Sequence, residues 1–236
     1  MLMERKISLL SRIIDFLQPR FCTICGSRLA VTEDVLCCKC NMLLPRTHQC
    51  RNAFDNDMAR MFWGRLHVAQ CASFMHYQSH TPASRLFYEL KYHDQPEVGV
   101  VLGRIAAAEY DASGFFEGID MIIPLPLSRK RERQRGYNQC LAIAYGIAQI
   151  RKIPIRTDVV KRVKNTETQT RKNPVERLEN MQDAFLLQKP EVVRGKHVLL
   201  VDDVVTTGAS LAACGKELEK AGNVVVSIFT LGQTEL

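Results

Sequence analysis

Two adjacent acids, two threonines and a glycine form the densest chemical cluster in this sequence. They lie in VLLVDDVVTTGAS, residues 198–210. Four apolar residues lead to Asp202 and Asp203, and then come Val204, Val205, Thr206, Thr207, Gly208, Ala209 and Ser210. Successive backbone N–H groups around a glycine at a helix N-terminus make a cradle for an anion. Thr206, Thr207 and Ser210 add hydroxyl donors, and Gly208 lets the backbone come close to the anion. A phosphate monoester suits that cradle. Two acceptor-only carboxylates beside it suit the vicinal hydroxyls of a sugar. A plain helix cap needs one Asp or Thr rather than this whole set. The triphosphate loop G-x-x-x-x-G-K-[ST] is excluded, because no lysine follows the glycine.

A second cluster is IIPLPLSRKRERQRGYNQ, residues 122–139. After its prolines, Arg129, Lys130, Arg131, Arg133 and Arg135 surround one acid, Glu132. Gly136, Tyr137, Asn138 and Gln139 then open a helix. The run reads as a basic loop at the carboxyl end of a strand, matched to a pyrophosphate, because guanidinium forks donate paired hydrogen bonds to phosphate oxygens. The middle of the run, Arg131, is expected to face water.

A third cluster is CTICGSRLAVTEDVLCCKC, residues 22–40. Cys22 with Cys25, and Cys37 with Cys40, are two C-x-x-C turns, each presenting two thiolates to one tetrahedral ion. Together they predict a structural zinc site that replaces a core too small to form alone. Four thiolates leave no open position for a substrate. Cys38 sits inside the second pair, and His48 and Cys50 are read as bystanders. A fourth stretch, residues 162–185, is long, polar and weakly periodic, and its place between two strands suits a lid.

These clusters need a scaffold, and the hydrophobic pattern supplies one. Residues 68–77, 119–127, 155–163, 197–203 and 223–231 read as strands. Residues 84–93, 98–110, 140–150 and 210–222 read as helices, the last ending at Gly222. Strands alternating with helices predict an α/β fold, a mostly parallel sheet with helices on both faces. In such sheets ligands lie beyond the carboxyl ends of the strands, where the acids and the basic run fall. Near the start, Ile7, Leu10, Ile13, Ile14 and Leu17 recur at helical spacing, while Ser8, Ser11, Arg12 and Asp15 interrupt any apolar core of a signal peptide. Residues 1–60 are expected to form a helix and zinc module, and 61–236 a second domain.

The 236 residues are 46% hydrophobic and 24% charged, an ordinary globular composition. The net charge of +7 favours an anionic partner. The nine cysteines are odd in number and no export signal precedes them, so disulfides are not expected. No run approaches the roughly 20 apolar residues of a membrane span. A cytoplasmic location is the expectation.

The segment 198–210 resembles, without gaps, the signature by which type I phosphoribosyltransferases bind phosphoribosyl pyrophosphate. Over nearly the whole chain the sequence resembles the ComF family, competence-associated proteins that include the GntX group. That family joins a four-cysteine zinc module to a phosphoribosyltransferase domain. The marks are the paired C-x-x-C, Leu90-Lys91-Tyr92, P-L-P followed by K-R and R-G-Y-N-Q, and a lid with Arg162, Thr166, Gln169, Arg177, Asn180 and Phe185. The resemblance implies a type I phosphoribosyltransferase fold and substitution at the ribose anomeric carbon with Mg²⁺ and pyrophosphate. Asp202 and Asp203 would hold the ribose, and Lys91, Arg129, Lys130, Arg133, Arg135, Gly136, Asn138 and Gln139 would bind substrate. It also implies a competence or nucleotide-salvage setting. A non-catalytic module that senses the ligand, or one that meets single-stranded DNA and the DNA-uptake machinery, is the alternative. Two departures stand out: the extra Cys38, and Leu127-Ser128 where many relatives carry a histidine.

Overall fold

The computed structural model describes residues 15–163 and 184–234. In chain order its strands are β1 (Gln70–Tyr77), β2 (Met121–Pro124), β3 (Val160–Arg162), β4 (Phe185–Leu187), β5 (His197–Val205) and β6 (Val225–Thr234). Its helices are α1 (Cys38–Met42), α2 (Asp57–Arg60), α3 (Ser84–Tyr92), α4 (Pro96–Tyr110), α5 (Arg129–Arg135), α6 (Gln139–Arg151), α7 (Pro190–Val193) and α8 (Ala209–Glu219).

β1, β6, β5 and β2 hydrogen-bond in that order into a wholly parallel sheet. Parallel strands need covered faces, and the side chains of β5 alternate between two cores. Leu199 and Val201 pack with Phe74, Leu102, Ile143, Ile147 and Phe229. Val198 and Leu200 pack with Met58, Phe62, Leu211, Cys214 and Leu218 on the other face. The period of two along an extended chain dictates this split. On the first face α4 and α6 cross closely. A Cβ on Gly103 would lie 2.3 Å from the Ile143 carbonyl oxygen, and one on Gly146 2.1 Å from that of Val100.

The first core also takes in Cys22, Ile24, Leu29, Leu36, Cys40 and Leu44, so the cysteine segment packs against the α4 side of the sheet. Arg104 reaches Asp34 at 3.0 Å, and Arg85 donates to the Ile24 carbonyl at 2.9 Å. Of the apolar stripe near the start of the chain, Ile7, Leu10, Ile13 and Ile14 lie outside the described residues, and Leu17 is exposed. Among the described residues no helix is long and apolar enough to cross a membrane.

Three expectations are corrected. The stretch 155–163 is not one strand of the main sheet. Ile155 makes a single parallel bridge to Ile122. The chain then turns through Thr157-Asp158, with Asp158 held by Arg156 and Lys189, and only Val160–Arg162 extends, antiparallel to β4. The basic run is a helix, α5, and not a loop. Ser128 caps it, accepting from the Arg131 N–H, and Gly136 at φ +76° ends it. Finally, β5 runs two residues past the acids. Val204 and Val205 pair with Gly232 and Gln233 of β6.

Candidate functional site

The sheet places Asp202 and Asp203 at its carboxyl edge. Asp202 lies opposite Thr230 of β6, whereas the last paired residue of β2, Pro124, lies opposite Val201. β5 therefore projects past β2, and its two acids stand at an open step. Asp202 Oδ1 accepts from the Asp203 N–H at 2.8 Å and from the Cys140 thiol at 3.3 Å. Asp203 Oδ1 accepts from the Val204 N–H at 2.7 Å, and Asp203 Oδ2 lies 3.3 Å from Lys91 Nζ. Burial, and then the charge of Asp203, push the Asp202 carboxyl up to about 7. The Asp203 N–H, the Cys140 thiol and Lys91 oppose the shift. The Cys140 thiol itself is driven upward, first by burial and then by the charges of Asp202 and Asp203.

Beyond Val205 the chain turns through Thr206 and Thr207 into α8. Gly208 is the N-cap, at φ +67°, and Ala209 and Ser210 form the first turn. A Cβ on Gly208 would meet the Phe62 ring at 3.0 Å. Only glycine takes this backbone cheaply under a ring. Of the residues before this turn, Val205 is buried in the second core and Val204 packs against the first.

α6 packs against β5, and α5 leads into it through Gly136–Asn138. Gly136 ends α5, and Asn138 caps α6 by accepting from the Cys140 N–H at 2.9 Å. The Asn138 amide also donates to the Leu125 carbonyl at 3.1 Å, which ties the cap to the end of β2. Tyr137 donates its hydroxyl to the Leu90 carbonyl at 2.6 Å, holding the end of α3 where Lys91 meets Asp203. Arg135 donates to Gln139 Oε1 at 2.8 Å. Arg129, Lys130 and Arg133 are exposed, whereas Arg131 and Arg135, four apart on one helix face, are half-buried. Arg131, expected to face water, is thus half-buried. Arg162 is buried, lies over the Phe185 ring at 5.3 Å, and is close enough to feel the charges of Arg131 and Asp202. The other lid positions, Thr166, Gln169, Arg177 and Asn180, lie outside the described residues.

The thiols of Cys22, Cys25, Cys37 and Cys40 lie within 4.8 Å of one another. Cys25 and Cys37 sulphurs are 3.8 Å apart. A zinc tetrahedron with bonds of about 2.3 Å has sulphur–sulphur edges of about 3.8 Å. Thr23 N–H donates to the Val35 carbonyl at 2.9 Å, joining the two turns. Glu33 accepts from the N–H groups of Ala30 and Cys38 at 2.8 and 2.7 Å. Cys38 and His48 are exposed and Cys50 is half-buried, and all three lie outside the cluster.

Two contributors carried no motif. Cys140 touches Asp202, and Arg65 donates to the Thr207 carbonyl at 2.7 Å. Nothing in sequence spacing singles out either of them, because only the packing brings them to Asp202 and to the turn at Thr207.

Residues 137–232 match the family described as phosphoribosyl transferase domain. The DNA utilization protein YhgH of an Escherichia coli O6:H1 strain is 31% identical over 90% of both chains. Competence protein F of Haemophilus influenzae is 32% identical over 64% of this chain and 68% of its own. This chain belongs to their family. Its members are competence-associated, ComF-like proteins built on a phosphoribosyltransferase domain, here with a four-cysteine cluster at the N-terminal end. Among solved structures, a Bacillus subtilis glutamine phosphoribosylpyrophosphate amidotransferase complexed with ADP and GMP is 19% identical. It covers 61% of this chain and 30% of its own, with a TM-score of 0.41.

Proposed function

We propose that the acid site binds phosphoribosyl pyrophosphate or a related ribose 5-phosphate and transfers the phosphoribosyl group. One observation carries this reading. Asp202 and Asp203 stand on β5 past the end of β2, shortly before a glycine-capped helix start, with Asp203 in contact with Lys91. The N–H groups and hydroxyls of Thr206, Thr207, Gly208, Ala209 and Ser210 take the 5-phosphate, which also gains from the positive end of the α8 dipole. The two carboxylates take the ribose hydroxyls. Lys91, with Arg131 and Arg135 on the inner face of α5, faces the pyrophosphate.

The bond between the anomeric carbon and the pyrophosphate oxygen breaks, with its electrons leaving on pyrophosphate, and the acceptor's lone pair forms the new bond. Positive charge grows on the sugar meanwhile, and the adjacent acids stabilise it in a low-dielectric site. Asp202 and Asp203 are the hard oxygen ligands that magnesium prefers, and magnesium bound with the pyrophosphate would neutralise charge on the leaving group. The four thiols fit a structural zinc and offer it no open position.

The test is calorimetry with phosphoribosyl pyrophosphate and Mg²⁺. Wild type should bind and Asp202→Asn with Asp203→Asn should not, while circular dichroism remains native. Unchanged affinity in the folded double variant would refute the reading.

The outer face of α5 favours a second reading. Arg129, Lys130 and Arg133 are exposed and spaced along one surface, and the relatives' names refer to DNA utilization and competence. On this reading the same domain meets the backbone of single-stranded DNA.

A further inference from the structure

The cradle from Thr206 to Ser210 contains no cation, although a phosphate monoester carries close to two negative charges at neutral pH. A cationic side chain from a distant part of the sequence lies beneath it. Residues 57–66 pass over this face of the sheet, with the Phe62 ring against Gly208 and Leu66 against Gly215. Between them, Arg65 donates one nitrogen to the Met61 carbonyl at 3.0 Å and to the Thr207 carbonyl at 2.7 Å. Its Nε and second terminal nitrogen are buried and have no hydrogen-bond partner among the described residues. No carboxylate among them pairs with it, and burial weakens its hold on its proton. A guanidinium kept from water with an open donor edge is costly. It persists where an anion compensates it, and the adjoining turn is built for one.

We infer that Arg65 is a positioning residue for the phosphate subsite: it fixes the turn through the Thr207 carbonyl and supplies the positive charge that the turn lacks. This rests on the reading of Thr206–Ser210 as the phosphate cradle. The residue comes from the segment that joins the cysteine cluster to β1, so the phosphate site is completed by chain outside residues 137–232, the stretch that matches the phosphoribosyl transferase domain.

The probe is ribose 5-phosphate, with magnesium pyrophosphate as the control ligand, titrated into wild type, Arg65→Gln and Arg65→Lys. Glutamine keeps a donor and removes the charge, whereas lysine keeps the charge. The expected result is a loss of tenfold or more in ribose 5-phosphate affinity for Arg65→Gln and recovery to within about threefold for Arg65→Lys, on the scale of one charge-assisted hydrogen bond. Pyrophosphate affinity should be unchanged in both. Wild-type affinity in Arg65→Gln overturns the inference. So does an equal loss for both ligands that lysine does not restore, because that marks a purely structural role. If Arg65→Gln does not fold, Arg65→Met replaces it. Failure of both to fold places the residue's work in the fold and likewise overturns the inference. Wild type that binds no ribose 5-phosphate refutes the cradle itself, and the inference with it.

Discussion

At the scale of single residues, the pair Asp202 and Asp203 shows how position on a strand sets protonation. Two carboxylates follow one another on β5 just past the end of β2, and Asp202 is desolvated beside its neighbour's charge. Its carboxyl rises from an ordinary 3.8 to about 7. A carboxyl raised by folding binds its proton more tightly in the native state, so stability falls as pH rises from about 4 to about 7 and levels off above that. Asp202→Asn removes the cost of ionisation. It should therefore match wild type in melting temperature near pH 4 and exceed it above pH 7, by a few degrees if the difference is about 1–2 kcal/mol. Thermal scans across pH check this, and an offset that does not change with pH would refute the assignment. Both acids, the threonines and Gly208 were legible in the sequence because each is a residue type with few other uses in that order. Cys140 was not: a small apolar-looking residue in a helix carries no sign that its thiol points at a carboxylate.

Elements are held in place here by close contacts and by the cysteine cluster, and both can be tested. Gly→Ala inside a helix ordinarily gains about 1 kcal/mol of helix propensity. At Gly146 the added Cβ would lie 2.1 Å from the Val100 carbonyl oxygen, on the backbone of the facing helix, which cannot swing away. Overpacking of this kind costs about 1–3 kcal/mol and should outweigh the propensity gain. Gly146→Ala is thus expected to lower the denaturation midpoint, and a rise would show that α4 and α6 can separate freely. The cysteine cluster makes a second expectation. The purified protein should carry about one zinc per chain by elemental analysis, lost in Cys22→Ser with Cys37→Ser, because two of four thiolates cannot close a tetrahedron. Full zinc in that double variant would sink the assignment. The paired C-x-x-C and the apolar run 198–201 were readable because spacing alone carries their meaning. α5 was misread as a loop because charge hid the helix signals: a Ser128 cap, good helix formers throughout, and Gly136 as the stop. The strand at 155–163 was overextended because its apolar residues straddle a turn that Asp158 and its two cations hold.

At the scale of the molecule, the net charge of +7 raises the question of which anion it serves. α5 divides that charge between two surfaces. Arg131 and Arg135 are half-buried on one face of the helix, while Arg129, Lys130 and Arg133 are exposed. A pyrophosphate is compact and fits only the inner pair, whereas a nucleic-acid backbone is an extended line of charge and meets the outer three. Single alanine substitutions should therefore separate. Arg131→Ala and Arg135→Ala should each weaken phosphoribosyl pyrophosphate about tenfold, roughly one charge-assisted hydrogen bond. Arg129→Ala, Lys130→Ala and Arg133→Ala should leave that affinity unchanged. If the outer face meets single-stranded DNA, each outer substitution should also reduce the slope of log affinity against log salt by about 0.7, the share of one released counterion. The two titrations are independent, so the molecule can satisfy both, with small ligand inside and polymer outside. Equal losses of phosphoribosyl pyrophosphate across all five would contradict the division of α5. Losses confined to DNA, with all five binding the small ligand as wild type does, would move the basic helix wholly to the nucleic-acid reading and leave Lys91 as the cation of the acid site.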